Sequence, residues 1–62
     1  MNAIVTKKNG DSIEISNIIS VERIEGTLNT CIQQGFPHWK KYYFNNAELV
    51  DIRVTELGRI TL

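Results

Sequence analysis

One cysteine, one proline and one histidine stand in a chain of 62 residues, and no apolar run is longer than three residues. Each scarcity excludes something. The lone Cys31 leaves no disulfide, and with His38 it falls short of the four ligands of a closed zinc site. A single free thiol suits a reducing, cytoplasmic setting. No segment approaches the ~20 apolar residues of a membrane span, so no membrane partner is expected. Met1-Asn2-Ala3 leads directly into a strand pattern, without the basic and apolar regions of a signal peptide. The formal net charge is zero, which removes the usual electrostatic footprint of a nucleic-acid binder and leaves little repulsion against self-association.

Catalytic patterns are missing as well. Gly10, Gly26, Gly35 and Gly58 lie far apart and form no phosphate-cradling loop. The acidic residues Asp11, Glu14, Glu22, Glu25, Glu48, Asp51 and Glu56 are spread singly between apolar positions, whereas acid–base hydrolysis needs two carboxylates converging in a cleft. Cys31 and His38 are the one thiol–imidazole combination, but nothing in the spacing supplies a third group to orient the base. A non-catalytic protein is expected, with no cofactor, no metal and no catalytic residue assigned.

What is present begins with Lys8-Asn9-Gly10-Asp11. Asn-Gly favours a two-residue type I′ hairpin turn, in which both central residues take positive φ. That turn predicts Lys8 opposite Asp11, Thr6 opposite Ile13 and Ile4 opposite Ile15, with Ile4, Thr6, Ile13 and Ile15 on one face. Strand pattern runs from Ala3 to Lys7 and again from Ser12. Asn17 marks a bend or bulge. Ile18 to Glu25 reads as strand with imperfect alternation: either a bulge near Glu22-Arg23 restores the phase, or the segment is an edge strand with one apolar residue outside. Gly26 to His38 is ambiguous: Leu28 and Ile32 are four apart, but Thr30, Cys31 and Ile32 favour strand, and an extended strand and loop is the preferred reading.

His38 to Phe44 reads as a further strand, with Leu49 to Thr55 as its partner across Asn45-Asn46. Val50, Ile52 and Val54 alternate with Asp51, Arg53 and Thr55, so they are assigned the core face. Arg59 to Leu62 is expected to close against the first strand. Residues 1–62 thus read as a single all-β domain of five or six strands. An SH3-like or Sm-like barrel is the first expectation and a curled antiparallel meander the second. A core this small supplies roughly 3–5 kcal/mol of net stability, so self-association is the stabiliser left once disulfides and metal are set aside.

The functional signal is Phe36-Pro37-His38-Trp39-Lys40-Lys41-Tyr42-Tyr43-Phe44, which holds all five aromatic residues of the chain and interleaves them with cations. On a strand, Trp39, Lys41 and Tyr43 would share one side, with Lys40, Tyr42 and Phe44 on the other. Both sides then carry large aromatics, more than a water-facing sheet requires. A protein contact accounts for this, because Trp, Tyr and Phe are enriched at interface cores. So does base stacking with phosphate contacts, and so does a strand buried on both sides, which needs no ligand. The candidate partner-binding residues are Trp39, Lys40, Lys41, Tyr43, His38 and Arg53.

The opening strand, the Lys-Asn-Gly-Asp turn, Ile13 and Ile15, Ile18 to Ile24, Tyr42-Tyr43-Phe44 and Leu49 to Val54 form a layout that resembles small SH3-like barrel proteins of phages and mobile elements of low-GC bacteria. The resemblance covers most of the chain as pattern and carries no motif residue across. It implies an accessory protein that acts by binding a host or phage protein. The expected function is therefore a protein-binding module, itself a candidate homo-oligomer, and the alternative is a small β-barrel of OB or Sm type that binds single-stranded nucleic acid.

Overall fold

The computed structural model describes residues 1–55 and the backbone of Gly58–Ile60. Among the described residues seven strands form: β1 (Ala3–Lys7), β2 (Ser12–Ile15), β3 (Ile18–Arg23), β4 (Asn29–Gln34), β5 (Lys41–Asn45), β6 (Leu49–Val54) and β7 (Gly58–Ile60). One 3₁₀ turn, Asn46–Glu48, precedes β6, and the Asn45 side chain caps it by accepting from the Ala47 N–H. The strands make two antiparallel sheets, ordered β2-β1-β6-β7 and β3-β4-β5. The architecture is all-β and open: among the described residues the two sheets do not close into the barrel expected first, and the arrangement is consistent with a curled meander in which β1 also pairs with β6.

The core lies between the sheets. Ala3, Val5, Ile15, Leu49, Ile52 and Val54 come from the first sheet, Ile18 and Ile32 from the second, and Val21, Tyr42 and Phe44 pack against them. Among the described residues two polar side chains are buried, and both are bonded. Thr30 donates its hydroxyl to Asn46 Oδ1, while Gln34 donates to the Ser16 carbonyl at 2.9 Å and accepts from the Tyr42 hydroxyl at 3.1 Å. These bonds tie the second sheet to its connecting segments, and no buried side-chain polar atom among the described residues is left unpaired.

The first hairpin forms where expected but in another register. Ala3 pairs with Ile15 and Val5 with Ile13, one residue away from the type I′ register. The reason is the turn. Gly10 N–H donates to the Lys7 carbonyl at 3.1 Å, and Lys7 N–H donates to the Asp11 carbonyl at 2.8 Å. Gly10 has φ +98° while Asn9 is not in the left-handed region. This is a three-residue loop, a type I turn closed by a glycine bulge, and Asn-Gly chemistry serves it as well as a type I′ turn. Asn9 braces it by accepting from the Asp11 N–H at 2.9 Å. A one-residue slip exchanges the faces of a strand, so Ala3 and Val5 are buried and Ile4 is half-buried.

Two bulges set the remaining faces. The register of β3 shifts between Ile18 and Ser20, which leaves Ile19 outside and brings Val21 inward. The bulge thus falls at Ile19, ahead of Glu22-Arg23. In β6 the register shifts where Lys7 pairs with Leu49 rather than with Val50. Leu49 takes the buried position and Val50 is exposed, correcting its assignment to the core face. Pairing differs too. β6 lies between β1 and β7, and β5 pairs with β4, so Leu49 to Thr55 is not the partner of the aromatic strand. The final strand pairs with β6 rather than β1; residues 61 and 62 of that expected strand lie outside the described residues.

Candidate functional site

The aromatic segment divides into a loop and an edge strand. β5 begins at Lys41, so His38, Trp39 and Lys40 belong to the loop before it. Within β5 the strand alternates: Tyr42 and Phe44 pack on the core, and Lys41, Tyr43 and Asn45 are exposed. Three aromatics remain outside, Phe36 at 74%, Trp39 at 59% and Tyr43 at 61% exposure. A strand buried on both sides is therefore not what forms.

The loop is held from beneath. Gly35 N–H donates to the Asn17 carbonyl at 2.8 Å, and the Asn17 side-chain amide donates to the Phe36 carbonyl at 2.9 Å. His38 and Trp39 N–H groups both donate to the Gly35 carbonyl, at 3.2 and 3.1 Å. Gln33 Nε2 donates to the Trp39 carbonyl at 3.2 Å. Gly35 is buried, and a Cβ there would stand 2.8 Å from Ile19 Cγ2, so the absence of a side chain lets Ile19 lie against the loop. The Phe36-Pro37 peptide bond is cis. Trp39 has φ +54°, a left-handed conformation rare for a bulky side chain. The loop thus presents Phe36 and Trp39 on a backbone fixed by hydrogen bonds, beside Ile19, which is itself 56% exposed.

Five of the six sequence-derived candidates, His38, Trp39, Lys40, Lys41 and Tyr43, are exposed and contiguous along this loop and strand. Arg53 is exposed on β6 between buried Ile52 and Val54, so it faces outward from the first sheet, away from the second. Ile19 and Phe36 join the surface although neither was singled out. Phe36 was legible as part of the aromatic run. Ile19 was legible only as an unspecified outward apolar residue of an edge strand; the bulge decides that it is this one.

Cys31 pairs across the second sheet with Glu22 and Tyr43, while His38 lies beyond the Gln34 end of β4. The intervening strand rise of about 10 Å exceeds the hydrogen-bond reach a thiol–imidazole couple requires. Among the described residues no group of three His, Cys, Asp or Glu is placed to hold a metal ion, and no helix is long and apolar enough to cross a membrane. An open depression lined by Lys8, Asn9, Ala47 and Glu48 lies by the first hairpin loop and gathers no set of convergent reactive groups. Compared with known protein families, curated proteins and solved structures, the chain matches none.

Proposed function

We propose that this chain is a non-catalytic protein-binding module whose contact surface is the 35–39 loop with the outer face of β5. One observation carries the reading: Phe36 and Trp39 are exposed on a loop that hydrogen bonds from Asn17, Gln33 and Gly35 hold in one shape. Exposed large apolar side chains on a fixed backbone lose little conformational freedom when they bind. Trp and Tyr are the residue types that dominate interface energetics, with charged groups at the rim. His38, Lys40 and Lys41 stand where such a rim would lie. The resemblance to small accessory proteins of phages and mobile elements implies the same class of action, through a host or phage protein. Nucleic-acid binding draws less support, since Tyr43 is the one aromatic on the exposed face of β5 and the net charge is zero.

The test is capture of partners from nuclease-treated host lysate by the wild-type chain and by Trp39→Ala. A protein retained by the wild type and lost by Trp39→Ala, with an unchanged circular-dichroism spectrum, is the expected result. Quenching of Trp39 by mixed-sequence single-stranded DNA or RNA at low salt, abolished by added salt, would replace this reading with the nucleic-acid one.

A further inference from the structure

Every open sheet presents edges, and proteins blunt them with short strands, bulges or charge. Among the described residues, β2 is limited to four residues and β3 carries the bulge at Ile19, whereas the β5 edge has five residues in unbroken register with β4. Its backbone phase follows from the ends of that ladder. Gln34 N–H donates to the Lys40 carbonyl and Asn46 N–H donates to the Leu28 carbonyl, both at 2.7 Å. Groups facing a neighbour alternate along an antiparallel ladder. Tyr42 and Phe44 therefore direct their N–H and C=O toward β4, and Lys41, Tyr43 and Asn45 direct theirs to the open side.

We infer that β5 pairs antiparallel with β5 of a second copy of this chain, about a two-fold axis through Tyr43. The register is self-complementary. Tyr43 meets the partner's Tyr43 in a hydrogen-bonded pair, and Lys41 meets the partner's Asn45, so no like charges face each other across the strands. Continuing that register brings Lys40 to the partner's Asn46–Glu48 turn, where the single charge is a carboxylate. A two-fold contact of this kind closes at two copies, joining two three-stranded sheets into one of six strands. The zero net charge of the chain leaves no global repulsion to overcome. The inference rests on reading β5 as a binding surface, but not on Trp39.

The experiment is sedimentation equilibrium from ~10 to ~500 µM, a range suited to an interface smaller than the ~1,200 Å² of stable complexes. Hydrogen exchange at the Lys41 and Tyr43 amides is followed over the same concentrations. The wild type is expected to approach twice 7.1 kDa, with protection of both amides rising as the dimer forms. Tyr43→Pro removes an N–H that bonds nothing within the monomer, the one setting in which a sheet edge accepts proline; it should remain folded and monomeric. Tyr43→Lys, which keeps the N–H, sets two ammonium groups across the axis and should weaken dimerisation at least tenfold. Trp39→Ala should dimerise as the wild type does. A wild type that stays monomeric, or a dimer that both Tyr43 variants retain, overturns the inference. A dimer lost in Trp39→Ala but kept in Tyr43→Lys also overturns it, and leaves the loop as the self-contact. The lysate capture above tests the loop separately.

Discussion

Two loops of this chain each use left-handed backbone, and they use it differently. In the first, Lys8 to Gly10, the left-handed position is filled by glycine, and Asn9 braces the turn through its own side chain. Residue chemistry and backbone demand agree. In the second, residues 35–39, the left-handed position is filled by Trp39, a residue that pays a steric penalty there. Five hydrogen bonds, made with Asn17, Gln33 and the Gly35 carbonyl, hold the conformation against that penalty. Local conflict of this sort is expected where a site, rather than the fold, dictates the residue. The first loop connects strands. The second displays side chains.

The contrast can be broken at its larger end by Gly10→Val. A β-branched residue at φ +98° should destabilise the fold by about 1–3 kcal/mol, a large share of what a chain of this size holds. An unchanged denaturation midpoint would mean that the first loop does not need its glycine. Asn17→Ala probes the support of the second loop. It removes the bond to the Phe36 carbonyl and leaves a residue with no polar side chain at φ +54°; a loss of about 1–2 kcal/mol should accompany weaker capture of the partner. Stability lost with capture intact would show that the shape of the loop is irrelevant to binding.

Trp39→Gly gives the smallest and most diagnostic shift. Relief of left-handed strain, about 1–2 kcal/mol, outweighs the added freedom of the unfolded chain, about 0.4–1 kcal/mol. Thermal unfolding should therefore occur at the same temperature or slightly higher, while partner capture is lost. A variant that melts well below the wild type would make Trp39 a structural residue and dissolve the contrast between the two loops.

Hairpin position, strand content and the aromatic surface were readable before the fold was known; faces and neighbours were less so. Lys8-Asn9-Gly10-Asp11 located the first turn, because Asn and Gly tolerate the backbone a tight turn needs. It did not decide between two loop lengths, since one dipeptide suits both. Strand periodicity puts Val50 on the core face and leaves the face of Ile19 open; both stand outside because bulges interrupt the count. Pattern alone places Trp39 on a strand with its neighbours, and the left-handed turn that removes it from β5 sits on a loop held by Gln33, six residues away, and by Asn17, which is distant in sequence.

By itself, then, the sequence determined the all-β class, the first turn and the concentration of aromatics between Phe36 and Phe44, because these follow from local propensity and composition. Tertiary structure decided that Ala3 and Val5 rather than Ile4 enter the core, that β6 joins β1 and β7 rather than β5, and that Tyr42 and Phe44 go inward while Phe36, Trp39 and Tyr43 stay out. Those outcomes depend on register and strand neighbours. A single-residue slip exchanges faces, and the pairing that prevents the slip comes from residues far along the chain.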